Sequence, residues 1–158
     1  MIANLDPKDI QILKIIQENC RLTSREIADK IDSPVTTVFA KIKRFEKLGI
    51  ISGYHAVLHA NVVDAGTTAF IFVSFAHKGD RALSHRKVAK EIARFPEVQE
   101  AHIVSGEWDF LIKVKVKNVD AVGRFVVDEL RLLRGIEKTQ TCFVFETQKE
   151  SSAIQLIE

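Results

Sequence analysis

Apolar residues recur at helical spacing in the early part of the chain and give way to strand-like alternation later. Ile10, Leu13 and Ile16 form one helical stripe. Asp6 followed by Pro7 is a helix start, because proline's missing N–H costs nothing in the first turn, and Asp9 sits where a capping-box acid belongs. This helix is expected to run to about Asn19. Thr23-Ser24-Arg25-Glu26 is a second capping box, opening a short helix that turns Ile27, Ala28 and Ile31 inward. Asp32-Ser33 turns the chain, Ser33 is the expected cap, and Pro34 the expected first residue of a third helix reaching Leu48. Gly49 supplies the left-handed residue after it. On this helix Val35, Val38, Phe39, Ile42 and Phe45 are expected on the packing side. Two short helices joined by a tight turn, the second longer and more basic, make the helix-turn-helix pattern. Ile50–Leu58 reads as a strand with Gly53 permitting a bend, and residues 59–67 as a linker.

The remainder alternates between the two periods. Ala69–Ala76 is a dense apolar strand, and Lys78-Gly79-Asp80 turns into a helix that carries Leu83, Val88, Ile92 and Phe95 inward until Pro96. Val98–Val104 is a second strand, followed by a tight Ser105–Trp108 loop. In Asp109–Lys117, Phe110, Ile112, Val114 and Val116 alternate with Leu111, Lys113, Lys115 and Lys117, a strand with one wet face. A continuous helix of about 25 Å is expected from Asn118 or Asp120 to Leu133. Gly135 ends it, and Lys138–Glu146 is a fourth strand. The order βαββαβ is the ferredoxin-like arrangement, an antiparallel sheet with helices on one face and the other face in need of a cover. The fold class is therefore α+β: a winged-type helix-turn-helix domain over 1–58, a linker over 59–67, a ferredoxin-like sandwich over 68–150 and a tail over 151–158.

Charge sharpens the picture more than composition does. The net charge of +2 comes entirely from the early segment. Residues 1–60 hold nine Lys and Arg against seven Asp and Glu, while residues 61–158 hold fourteen of each. Lys41, Lys43, Arg44 and Lys47 against the single Glu46 concentrate the excess on the third helix, a pattern suited to a polyanion and equally readable as a solvated helix face. The chain opens without a basic, then apolar, leader and holds no long uncharged apolar run, so a cytoplasmic protein with no membrane partner is expected. Cys20 and Cys142, 122 positions apart, have no neighbouring ligand and read as reduced, buried thiols rather than a disulfide or metal site.

Four short motifs stand in order along the chain. They are Leu5-Asp6-Pro7-Lys8-Asp9-Ile10-Gln11-Ile12-Leu13, the run Lys41–Tyr54 ending in Gly49-Ile50-Ile51-Ser52-Gly53-Tyr54, Ser105-Gly106-Glu107-Trp108-Asp109, and Thr139-Gln140-Thr141. Together they resemble the Lrp/AsnC family of feast/famine transcription regulators, matching its LDxxDxxIL opening, its recognition helix with the following strand, its SGxxD loop and its TxT strand. Two departures are visible: Pro34 stands where the family places its cap serine, and His59-Ala60-Asn61 replaces the usual Asn-Pro.

Helix-turn-helix docking sets the N-terminal part of the recognition helix against base edges in the major groove. Thr36 and Thr37 suit that role, Arg44 suits a guanine or a phosphate, and Lys41, Lys43 and Lys47 suit phosphates. Ser24 and Arg25 open the second helix and suit a backbone contact. The resemblance implies double-stranded DNA as partner, a homodimer or a higher assembly such as an octamer, and an amino-acid effector at interfaces of the C-terminal domain. Transferred residue by residue, it implicates Gly106, Glu107, Trp108, Asp109, Thr139 and Thr141, with Glu129 as a side-chain reader. Trp108 reads equally as a packing anchor between subunits, and the SGxxD loop as only a tight turn. No cofactor or metal is expected, and no nucleotide-binding, zinc-protease or nucleophile motif points to an enzyme. His55 and His59 would lie about 13 Å apart on a strand, too far to share a metal, and His77, His85 and His102 have no neighbouring ligands. Two other readings stay open: an architectural DNA-compacting protein, and a tetrapyrrole-modifying enzyme subunit of related architecture.

Overall fold

The computed structural model describes residues 5–76 and 83–156. The Lys78–Asp80 turn and His77 lie outside the described residues. The chain forms two compact units, Met1–Val57 with Lys149–Glu158, and Leu58–Gln148.

The first unit is built from α1 (Pro7–Glu18), α2 (Ser24–Lys30) and α3 (Val35–Lys47). Both expected capping boxes form: the Asp9 N–H reaches Asp6 at 2.7 Å and the Asp6 N–H returns to Asp9 at 3.0 Å, with Thr23 and Glu26 paired the same way. Ile12, Leu13, Ile16, Ile27, Ala28, Val38 and Phe45 close a core between the helices. The α2–α3 turn departs from expectation. Pro34, not Ser33, is the N-cap of α3 and makes no side-chain cap bond. The Ser33 N–H instead closes the turn onto the Ala28 carbonyl at 3.1 Å, and its hydroxyl faces the Lys8 ammonium at 3.4 Å. Gly49, at φ +70°, ends α3 as expected. Residues 50–58 form no strand: among the described residues no strand runs beside them to take their N–H and C=O groups, and a strand needs a neighbour. The C-terminal residues complete this unit. Gln17 grips the Ile154 backbone through two bonds of 2.7 and 3.1 Å, and Leu156 packs against the helical core.

The second unit holds a four-stranded antiparallel sheet in the order β2-β3-β1-β4, from β1 (Thr67–Phe75), β2 (Val98–Ile103), β3 (Phe110–Val116) and β4 (Ile136–Phe143). That order is the expected ferredoxin-like one. Ala69, Ile71 and Val73 of β1 lie opposite Val114, Ile112 and Phe110 of β3 and are all buried. They face Val88 and Ile92 of α4 (His85–Ile92) and Val122, Phe125 and Leu130 of the segment after β3. Phe70 and Phe72 point to the other face and stay half-buried.

The expected continuous helix after β3 is broken. It is α-helical over α5 (Val119–Arg124), widens to a π turn over Phe125–Glu129 and tightens to 3₁₀ over Leu130–Leu132. In the π turn the Leu130 N–H bonds the Phe125 carbonyl five residues back. Cys20 and Cys142 are both exposed, against expectation. Each sits where its element meets solvent: just past the end of α1, and on the edge strand β4.

Candidate functional site

On α3 the buried line is Val38 and Phe45. At 100° per residue the opposite line is Thr36, Ala40, Lys43 and Lys47, all exposed, with Thr37 and Arg44 on its α1 flank. Phe39 belongs to the outer surface, 54% exposed rather than packed, with the Lys43 ammonium 5.9 Å from its ring centroid. Val35 is likewise exposed at 43%. Both precede the point where α3 is clasped by α1, so neither has a wall to bury against. Lys43 pairs with Glu46 at 2.8 Å on the surface, a contact weak enough to yield to a phosphate. Ser24 and Arg25 stand at the first positions of α2, half-exposed and exposed.

Lys41 is placed differently from expectation. Its ammonium lies 2.6 Å from Asp9 and 2.5 Å from Asp6, with the side chain only 17% exposed. Arg44 reaches the other Asp9 oxygen at 2.5 Å while staying 45% exposed. Asp9 is 1% exposed, so one buried carboxylate caps α1 and ties α3 to it. Burial pushes the Asp9 carboxyl up, but hydrogen bonds from Lys41, the Asp6 N–H and Arg44 outweigh it and hold it below the ordinary aspartate value. Burial lowers Lys41 and the two aspartates more than restore it, so it is held above the usual lysine value. Asp9 was legible as a cap; its second role was not, because Lys41 and Arg44 lie 32 and 35 positions away.

In the second unit, Asp109 is fully engaged within the chain. Its carboxylate accepts the Phe75 N–H at 2.7 Å and faces His85 Nε2 at 3.0 Å. Its own N–H donates to the Val73 carbonyl and its C=O accepts from Val104, both at 2.9 Å. The loop is thereby pinned to the end of β1, and Gly106 at φ +119° supplies a backbone shape that side chains resist. Glu107 is exposed at the loop tip. Trp108 meets Phe72 with ring centroids 6.1 Å apart, on the face away from the helices. Thr139 and Thr141 lie opposite Val73 and Ile71, hence on the helix side of edge strand β4. Loop and threonines thus gather at one region of the sheet but address opposite faces.

Glu129 is not brought to them. It lines a cleft whose other walls include the Pro96–Glu97 turn and Lys115–Lys117, at the far end of β3 from the loop. Glu97 and Arg124, which share that cleft, carried no sequence motif.

The comparisons agree with this geometry. Residues 5–52 match the model of a winged helix-turn-helix DNA-binding domain and residues 68–154 that of the Lrp/AsnC ligand binding domain. An uncharacterised HTH-type transcriptional regulator of Pyrococcus abyssi is 40% identical over 95% of this chain and 99% of its own length. The leucine-responsive regulatory protein of Escherichia coli is 28% identical over 96% and 91%. The structure of a Neisseria meningitidis transcriptional regulator in complex with L-Met superposes with a TM-score of 0.88 at 31% identity, covering 96% of this chain and 97% of that one. A capped helix-turn-helix with an outward basic stripe, a ferredoxin-like unit and these matches end to end establish that the chain belongs to the Lrp/AsnC family of transcriptional regulators.

Proposed function

We propose that this protein is a sequence-specific DNA-binding regulator of the cytoplasm, not an enzyme, that acts as a homodimer or higher assembly and answers to a small effector of amino-acid type. The observation that carries the DNA reading is the exposed line Thr36, Ala40, Lys43 and Lys47, set directly opposite the buried Val38 and Phe45. Thr36 and Thr37 offer hydroxyls and methyls to base edges, and the small Ala40 lets the helix approach the groove floor. Arg44, Lys43 and Lys47 neutralise phosphates, and Ser24 and Arg25 add a contact through the start of α2. Lys41 serves indirectly, by fixing α3 against α1 through Asp9 and Asp6.

A second copy covering the open sheet face would bury Phe70, Phe72 and Trp108 and place two recognition helices about 34 Å apart. The Gly106–Asp109 loop and the threonines of β4 suit an effector held between such copies. There Gly106 allows close backbone approach, Glu107 is free to meet an ammonium, and Thr139 and Thr141 suit a carboxylate. Asp109 holds the loop in shape. The Neisseria relative, in its complex with L-Met, supports the amino-acid class.

Footprinting at several salt concentrations tests the placement. Lys43→Ala with Lys47→Ala should flatten the log–log salt dependence by about 0.9 per lost phosphate contact per half-site, leaving the footprint's position unchanged. An unchanged slope would remove α3 from the interface.

A further inference from the structure

One cleft in the second unit gathers charges that the fold does not use. It measures about 370 Å³, within the range of small-molecule sites. Asp64, Glu97, Lys115, Lys117, Arg124 and Glu129 line it, over an apolar floor of Val116, Ala121 and Phe125. Lys117 and Asp64 neutralise each other at 2.7 Å, and Lys115 is also engaged. Three groups are left over. Among the described residues, one Glu97 carboxylate oxygen is sealed from solvent and accepts no hydrogen bond. A buried polar atom without a partner is costly and rare in folded proteins.

The backbone explains how Glu129 reaches this cleft. An α-helix of 3.6 residues per turn would align Ala121 and Phe125 with Asp128. The π turn over Phe125–Glu129 inserts one residue into that register, so Glu129 replaces Asp128 on the cleft wall, and Asp128 is left exposed. Such turns weaken a helix and are found disproportionately at functional sites.

We infer that this cleft is a binding site for a free α-amino acid within one protomer, with Glu97 and Glu129 receiving the ammonium and Arg124 the carboxylate. An ammonium offers three donors and suits two carboxylates, while a guanidinium forks onto a carboxylate. The floor of Val116, Ala121 and Phe125 would face the ligand's side chain and favours an apolar one. The inference rests on the reading that the second unit senses an amino acid, but it places a site at the opposite end of β3 from the Gly106–Asp109 loop.

The test is calorimetric titration of the twenty amino acids into the full-length protein. The tightest binder is then compared with its α-hydroxy acid, which lacks the ammonium, and its decarboxylated amine. Glu129→Gln and Arg124→Gln should each weaken the amino acid by about tenfold or more, the worth of a charge-assisted hydrogen bond. The wild type should reject both analogues, and Glu129→Gln should discriminate less against the hydroxy acid. Unchanged circular dichroism would show that these variants remain folded. If the amino acid binds both variants as tightly as the wild type but is lost from Thr139→Val with Thr141→Val, sensing stands and the cleft is overturned. If no amino acid binds the wild type, the sensing reading falls and the cleft falls with it.

Discussion

Replacing Asp9 with alanine removes three interactions at once: the Lys41 ammonium at 2.6 Å, the Arg44 guanidinium at 2.5 Å and the Asp6 N–H at 3.0 Å. Stripping one partner from a buried ion pair costs about 3–5 kcal/mol when a charge is left stranded. Here Lys41 keeps Asp6 at 2.5 Å, and Arg44 is exposed enough to return to water. The expected loss is therefore smaller. It comprises about 1.5–2 kcal/mol for the sheltered charged bond and about 0.5–1 kcal/mol for half a capping box. A total of about 2–3 kcal/mol should lower the melting of the helical unit by about 10–20 °C, since a unit this small shifts about 4–8 °C per kcal/mol. Calorimetry of the full chain reads this as a move of one transition while that of the sheet unit stays in place. Asp9→Asn, which keeps the volume and part of the capping, should fall between. A shift below about 3 °C would show that Asp9 does not hold α3 to α1.

The same network sets an acid response. The Asp9 carboxyl is held below its unfolded value, so its contribution is complete above about pH 5 and is lost as pH falls through the folded value. The stability gap between wild type and Asp9→Asn should close on acidification, and a gap that widens would contradict the sign. Asp109→Ala should destabilise the sheet unit by about 1–3 kcal/mol, because it leaves the Phe75 N–H without its acceptor. Denaturant titration checks this, and an unchanged midpoint would return Asp109 to a role toward ligand alone. Lys41→Ala should lower stability without changing the salt slope of DNA binding, whereas Arg44→Ala should reduce the slope.

The sequence was most readable where local physics and tertiary need coincide. Both capping boxes, the Gly49 terminus and the alternation in Phe110–Val116 are local signals, and each appears in the structure. The long-range ones were hidden. Lys41 looked like a solvent lysine because its partners lie a whole helix-turn-helix away. Phe39 looked like core because hydrophobicity alone does not say which flank of α3 finds a neighbour. Ile50–Leu58 has strand chemistry without a strand to pair with in this chain. The π turn could not be foreseen, since nothing in Phe125–Glu129 breaks helical periodicity; only packing of Phe125 and Leu130 into one core shows why the register slips. Of the effector residues, the loop and the β4 threonines reach a common region, while Glu129 faces a cleft that no motif announced.

Selection of duplexes from a random library by the full-length protein, followed by anisotropy titration at physiological salt, tests the central claim most directly. A regulator reading bases with paired recognition helices should enrich a two-fold-related motif with half-sites about ten base pairs, or a multiple, apart. It should bind that motif at least about 10³-fold more tightly than scrambled DNA of the same length. Substituting Thr36 and Thr37 should shrink that ratio while leaving binding to scrambled DNA nearly unchanged. A library that emerges without a motif, and a ratio near one, would contradict sequence-specific regulation and make this a DNA-compacting protein.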